Sequence, residues 1–152
     1  MRSSASGGRR TCSFAIALWA VTLGAAVTRA DGFVFIRHEK GSTATVRAAE
    51  VREMLTGRTK QWKAGAVVQV VLPPESGPAM KWLAESVFGV TEKVLLTKIR
   101  QEVFKGEMRK PLTSASDADS IELVRTHAGG IGAVPAEAAR TLPDGVAILT
   151  VE

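Results

Sequence analysis

Beyond residue 30 the chain has no cysteine; the single one, Cys12, stands near the start. For the rest of the chain this excludes a disulfide framework, a thiolate metal site and a thiol nucleophile, so a hydrophobic core must supply the stability. An excess of charge of one sign is also missing once the first thirty residues are set apart. The whole chain carries 20 Lys and Arg against 15 Asp and Glu, with a calculated pI near 9.8. Arg2, Arg9, Arg10 and Arg29 place four of those cations, and no acid, in the first thirty residues. The remainder balances sixteen against fifteen, a net charge of +1, which removes the electrostatic argument for a nucleic-acid partner. No apolar run after residue 27 approaches the length of a membrane span.

What the first thirty residues do contain is the pattern of a secretory signal peptide. A positive start leads into an uncharged run from Cys12 to Val27, and Thr28-Arg29-Ala30 ends on a small residue. Arg9-Arg10 is a twin-arginine pair, but Thr11 to Phe14 match that export signal only loosely, so the general secretion route is expected. Cys12 precedes the apolar run, which is not the position of a lipid-attached cysteine. The expectation is a cleaved leader over 1–30 and a periplasmic or secreted protein with no stable membrane span after cleavage. Residues 31–152 then form one domain around one core.

Along that domain, Phe33 to Ile36 reads as a buried strand. Ala44, Ala48, Val51 and Leu55 recur on one helical face, with Gly57 placed to stop it. Val67 to Leu72 reads as a second strand ended by Pro73-Pro74. Ser76 is the expected N-cap of a helix with Pro78 in its first turn, Met80, Leu83 and Val87 inward, and Gly89 at its close. Thr91 caps the next helix, in which Leu95, Ile99 and Val103 share a face up to Gly106. A polar loop spans Pro111 to Ser116. Asp117 or Asp119 opens a further helix with Ile121, Val124 and Ala128 inward, ended by Gly129-Gly130. Ile131 to Val134 and Val146 to Val151 read as strands. Alternating strands and helices predict an α/β domain, an open sheet with helices on both faces.

Catalytic signals are sparse. His38 and His127 stand far apart, and His38-Glu39 lacks the second histidine of a helical zinc motif, so no metal or cofactor is expected. Ser76 lacks the preceding glycine of a nucleophile elbow, and a hydrolase using Ser76 with a histidine ranks last. Gly129-Gly130-Ile131-Gly132 follows a helix and enters a strand, the reverse of a dinucleotide fingerprint. Trp62 is expected to pin its loop to the body, and Trp82 and Phe88 to pack. The mixed charges from Glu92 to Lys110 read as a solvated helix face. Two segments have anion-binding character: Ser76-Gly77 at a helix start, and Ser42-Thr43 after Lys40. In an open α/β sheet both would lie at strand C-terminal ends, where ligands usually bind.

Taken in order, several short segments resemble the phosphate-binding proteins of ABC transporters. Met54-Leu55-Thr56-Gly57 and Gln61-Trp62-Lys63-Ala64-Gly65 are similar to that family's "iF-G-…-W-x-x-G" stretch. Glu75-Ser76-Gly77 is similar to its Ser-Gly-Thr phosphate loop, and Gly129 to Val134 to its "pGaIGY". Val103-Phe104-Lys105-Gly106 with Pro111 falls between them, and the likeness runs from about Phe33 to Val151. Three positions depart from the pattern. Pro78 replaces the threonine of the loop, Leu72 stands where an anion-binding arginine is expected, and Ala133-Val134 replaces the aromatic end of the last motif.

The resemblance implies a single lobe of periplasmic-binding-protein type and a non-enzymatic protein. It implies binding of phosphate or a similar oxyanion for an ABC transporter, with Ser76 and Gly77 as the contacts carried over; Ser42 and Thr43 are further candidate contacts on their own reading as a turn before a helix. The expected partners are that anion, a transporter permease or a second protein chain. The family's full-length members clasp phosphate between two lobes, so one helix start on an open surface implies weak binding. The competing expectation is an interaction or accessory module that has lost its ligand.

Overall fold

The structure, a computed structural model, describes residues 32–152, and the leader read in residues 1–30 lies outside the described residues. The elements run β1 (Phe33–His38), β2 (Thr45–Val46), α1 (Ala48–Leu55), β3 (Gln69–Leu72) and α2 (Pro78–Trp82), which continues as a π-helical turn (Leu83–Val87). Then come α3 (Glu92–Phe104), β4 (Leu112–Thr113), α4 (Asp117–Thr126) and β5 (Gly130–Pro135). A 3-10 turn (Ala138–Thr141) leads to β6 (Val146–Ile148) and β7 (Thr150–Val151). Five strands form one sheet in the order β4-β3-β5-β1-β6, and β2 pairs with β7 in a second, two-stranded sheet.

Side chains alternate across a strand, and the strands of the main sheet are apolar on both faces. Phe35, Val70, Leu72, Ile131 and Ala133 face one side, where they pack with Val51, Met54 and Leu55 of α1, Met80 of α2, and Leu95 and Ile99 of α3. Ile36, Val71 and Val134 face the other side, against Val124 of α4 and Val146. The sheet is therefore covered by helices on both faces, as the alternation of elements predicts. Burying each such Val, Leu or Ile stabilises the fold by about 1.5–3 kcal/mol.

The strands are not all parallel, a point on which the sequence reading is silent. β3 runs parallel to β4 and β5, but β1 runs antiparallel to β5 (Val34 opposite Val134) and to β6 (Ile36 opposite Ile148). The C-terminal end of β1 therefore lies at the opposite end of the sheet from the C-terminal end of β3. Periodicity shows that a strand exists but carries no information about its direction.

Other boundaries shift for identifiable reasons. Ala44 is not helical: its carbonyl accepts the Thr150 amide at 3.0 Å, so the chain enters β2 before α1 begins. Met54 takes the buried place instead, and Ala48 is exposed. The expected last strand, Val146 to Val151, divides at buried Leu149, because its two halves pair with different sheets. The loop from Pro111 to Ser116 contains β4, whose two residues are too few to show an alternation. Ala128 is exposed beyond the end of α4, and buried Ser120 occupies the inward side, bonded to Ser114 at 2.6 Å. Ser116 caps α4, accepting the Asp119 amide at 3.1 Å.

Two contacts fix the segment between α1 and β3. The Trp62 indole N–H donates to the Gly129 carbonyl at 2.8 Å, pinning the loop to the body as expected. Lys63 Nζ meets Glu50 at 2.7 Å and is the main reason the Glu50 carboxyl is held below its usual pKa, with the Arg47 amide adding to it.

Gly129 itself is confined. Its φ is +78°, and a Cβ there would collide with the Val67 carbonyl. Gly106 has a similar φ of +75° with nothing within 4 Å. Gly129→Ala should lower the unfolding free energy by about 3 kcal/mol or more, and Gly106→Ala by only about 1. Urea denaturation of the two variants checks this, and equal losses would contradict the close approach.

Candidate functional site

Two proline residues end β3, and the chain turns at once. The Gly77 amide donates to the Pro74 carbonyl at 3.1 Å, closing a four-residue turn over Pro74-Glu75-Ser76-Gly77. Ser76 occupies the third position with φ +59°, a left-handed conformation usually taken there by glycine or asparagine. Among the described residues Ser76 is the only non-glycine with positive φ. Such strain persists where the surroundings impose it, and it concentrates at functional positions.

The expected cap is displaced by one residue. Gly77, at φ −86° and ψ 163°, is the N-cap of α2 and has no side chain to cap with; Pro78 is the first helical residue. The strained Ser76 stands just before the helix and presents its amide outward. That amide is occupied, since it donates to the Glu92 carboxylate at 2.6 Å. An acidic side chain from the start of α3 thus holds the donor that an oxyanion would need. Glu75 adds a second carboxylate, about 4.0 Å from the exposed Arg100 guanidinium. Leu72, at the position where the resemblance places an arginine, is buried in the core and offers no charge.

The turn lies at a particular place in the sheet. From β3 the chain crosses to β4 on one side, and β5 lies on the other, so the C-terminal ends of β3 and β5 flank a point where the strand order reverses. Open α/β sheets bind ligands at such points. The neighbouring helix start, α4, is filled by its own side chains: Asp119 accepts the Ala115 amide at 2.9 Å, and Ser116 caps it.

Ser42 and Thr43 are not brought to this place. They follow β1, which runs antiparallel, and so lie at the far end of the sheet, where the Ala66 amide donates to the Gly41 carbonyl. A strand of six residues spans about 17–20 Å, so one small ion cannot touch both segments. Both segments do follow strand C-terminal ends, but β1 and β3 run in opposite directions, so the two segments are not brought together. The Ser42 hydroxyl is engaged locally, donating to the His38 carbonyl and accepting from Arg37 Nη1 at 3.0 Å. The Thr43 hydroxyl is buried without a partner among the described residues. Arg37, not Lys40, is the cation that reaches this turn; its position at the end of β1 gave no sign of that in the sequence.

The histidines lie at the same far end. His38 Nδ1 pairs with the Lys40 amide at 3.0 Å, and His127 Nδ1 with the Leu123 carbonyl at 2.8 Å, both local contacts at element ends. Neither approaches Ser76, so no serine–histidine pair assembles.

The chain matches no family model, and no curated protein matches it by sequence. Solved structures do match its fold. The chain is similar to an ABC-type phosphate transport receptor from Vibrio cholerae, at 12% identity and TM-score 0.51 over 79% of this chain and 46% of that one. It is similar to a phosphate ABC transporter substrate-binding protein from Clostridium perfringens, solved with bound phosphate, at 18% identity and TM-score 0.56 over 79% and 44%. PstS from Borrelia burgdorferi gives 18% identity and TM-score 0.58 over 80% and 47%. The fold is thus a mixed α/β lobe of the periplasmic-binding-protein type. The chain spans less than half the length of these solved structures. Among the described residues no helix is long and apolar enough to cross a membrane.

Ser76→Gly should relieve the left-handed strain and raise the unfolding free energy by about 1 kcal/mol. Urea denaturation reads this directly, and a loss of stability would show that the serine side chain, not the turn geometry, sustains the loop.

Proposed function

We propose that the chain is an exported, non-enzymatic module of the substrate-binding-protein type that works beside an ABC transporter. In this reading residues 31–152 are the working domain, and the leader directs it to the periplasm or the exterior. Its Ser76-Gly77 turn takes phosphate or a similar oxyanion as half of a site. The observation that carries the reading is the strained Ser76 turn at the point of strand reversal between β3 and β5. Ser42 and Thr43 take no part in that half-site, because they lie at the other end of the sheet.

The chemistry available is modest. The Gly77 amide is spent on the Pro74 carbonyl, so the Ser76 amide, once Glu92 releases it, and the Ser76 hydroxyl remain, and on an open surface they contribute about 1 kcal/mol each or less. Such a half-site supports a Kd of about 1 mM or weaker. Tighter binding needs a second surface, from a transporter permease or another chain, to exclude water and supply cations.

A second reading, an accessory module without a ligand, is favoured by one observation: the Glu92 carboxylate already occupies the Ser76 amide. Calorimetry with phosphate and sulfate separates the two. The binding reading expects a weak saturable response that strengthens about tenfold in Glu92→Ala, which frees the amide and removes a like charge, and that is lost in Ser76→Pro. No response at tens of millimolar anion in either the unaltered protein or Glu92→Ala leaves the accessory reading standing.

A further inference from the structure

The main sheet ends in two edge strands that differ in kind. β4 is two residues long and follows Lys110-Pro111, a charge and a residue without an N–H, both of which guard an edge against pairing. β6, at the other edge, has no such guard: Gly145 to Thr150 contains no charge and no proline. The Glu39 amide donates to the Gly145 carbonyl at 2.8 Å and the Leu149 amide to the Phe35 carbonyl at 2.9 Å, with Arg37 opposite Ala147. Antiparallel ladders alternate, so Gly145, Ala147 and Leu149 turn their main chain toward β1, and Val146 and Ile148 turn theirs outward. The Val146 amide is spent on the Pro143 carbonyl at 3.2 Å, which leaves the Val146 carbonyl and both main-chain groups of Ile148 facing out. Among the described residues the large exposed apolar side chains are Val67, Val94, Phe104 and Ile148. Phe104 is 93% exposed and Ile148 48%, and of the four only Ile148 lies in a strand.

We propose that β6 pairs antiparallel with β6 of a second copy of this chain, joining the two five-stranded sheets into one continuous sheet. The occupant is a strand because the edge presents directional main-chain groups, which an extended chain satisfies and a helix or a membrane surface does not. It is a second copy because the free groups are self-complementary. A two-fold axis at Ala147 sets Ile148 of one copy opposite Val146 of the other, and each Ile148 amide then meets a Val146 carbonyl. The same register lays each exposed Ile148 side chain beside the other copy's Val146, on the face of the sheet that carries α4. No like charges meet along the paired strands, since Asp144 of one copy falls opposite Thr150 of the other. A strand from a different protein has no charge here to recognise it, so nothing favours it over the copy that is always present. The two-fold turns β3 of the two copies in opposite directions, which places their Ser76 turns at opposite ends of the joined sheet. The dimer therefore does not close the half-site, and the proposal does not depend on the oxyanion reading.

Sedimentation velocity of the purified protein between about 10 μM and about 1 mM should show a monomer–dimer equilibrium with a Kd of about 100 μM, as a small edge contact implies. Amide hydrogen exchange at Ile148 should slow about fourfold across that range, following the fall in monomer fraction, while exchange in β4 at the opposite edge stays constant. Ile148→Lys puts a charge on the edge, and Ile148→Pro removes the outward N–H while leaving the ladder to β1 intact. Each should weaken the dimer by about tenfold or more, and Ile148→Val, which keeps the N–H and the apolar surface, by less than about threefold. Ile148→Lys should leave thermal unfolding of the monomer unchanged, because the position is exposed. Any of four results overturns the proposal: a monomer at the highest concentration, a dimer that survives both Ile148→Lys and Ile148→Pro, Ile148 exchange that is independent of concentration, or capture of an extended apolar peptide by a protein that stays monomeric. A dimer lost in Phe104→Ser but kept in Ile148→Lys would place the contact on α3 and contradict the edge pairing.

Discussion

The register of β3 against β5 rests on one carbonyl group. The Gly129 oxygen accepts from the Trp62 indole at 2.8 Å and from the Gln69 amide at 3.1 Å, which uses both of its lone pairs. The first donor comes from the loop that precedes β3, the second from the first residue of β3 itself. Because the side-chain period of a strand is two, a slip of one residue would turn Val70 and Leu72 to the wrong face. Only glycine permits the approach, since a Cβ would strike the Val67 carbonyl. The position of everything carried on the end of β3, including the Ser76 turn, follows from this junction.

The second determinant is the direction of β1. Its antiparallel course between β5 and β6 divides the molecule into two ends with different character. One end holds the turn at Ser76, the starts of α2 and α4, and the carboxylates of Glu75 and Glu92. The other holds Gly41 to Thr43, both histidines and the Gly129 junction. The first end has the geometry of a ligand edge but an acidic surround, and Glu92 lies on the donor that an anion would take. The conflict between geometry and charge is the central physical fact about this site.

Much of this was legible in the sequence. Helix α3, with Thr91 before it and Gly106 after it, was readable because its caps and its 3.6-residue pattern agree. The apolar runs of β1, β3 and β5 announced strands buried on both faces, and Trp62 next to Lys63-Ala64-Gly65 announced a pinned loop. The direction of β1 was not legible, and with it went the placement of Ser42 and Thr43, because a run such as Phe33 to Ile36 reads the same either way. The Glu92 contact was equally hidden. It joins residues sixteen apart through a bend between helices, and only the packing of α3 against the π-helical turn brings them together. Phe104, in a helix-ending segment, gave no sign that it would remain uncovered.

The central claim is that an oxyanion engages this lobe at the C-terminal ends of β3 and β5 and nowhere else. Amide chemical-shift mapping by NMR, with phosphate added to the purified protein, locates the contact directly. The account predicts shifts clustered at Ser76 and Gly77, and none at Ser42 or Thr43. Shifts confined to Ser42 and Thr43, or spread evenly over exposed lysines and arginines, would contradict it.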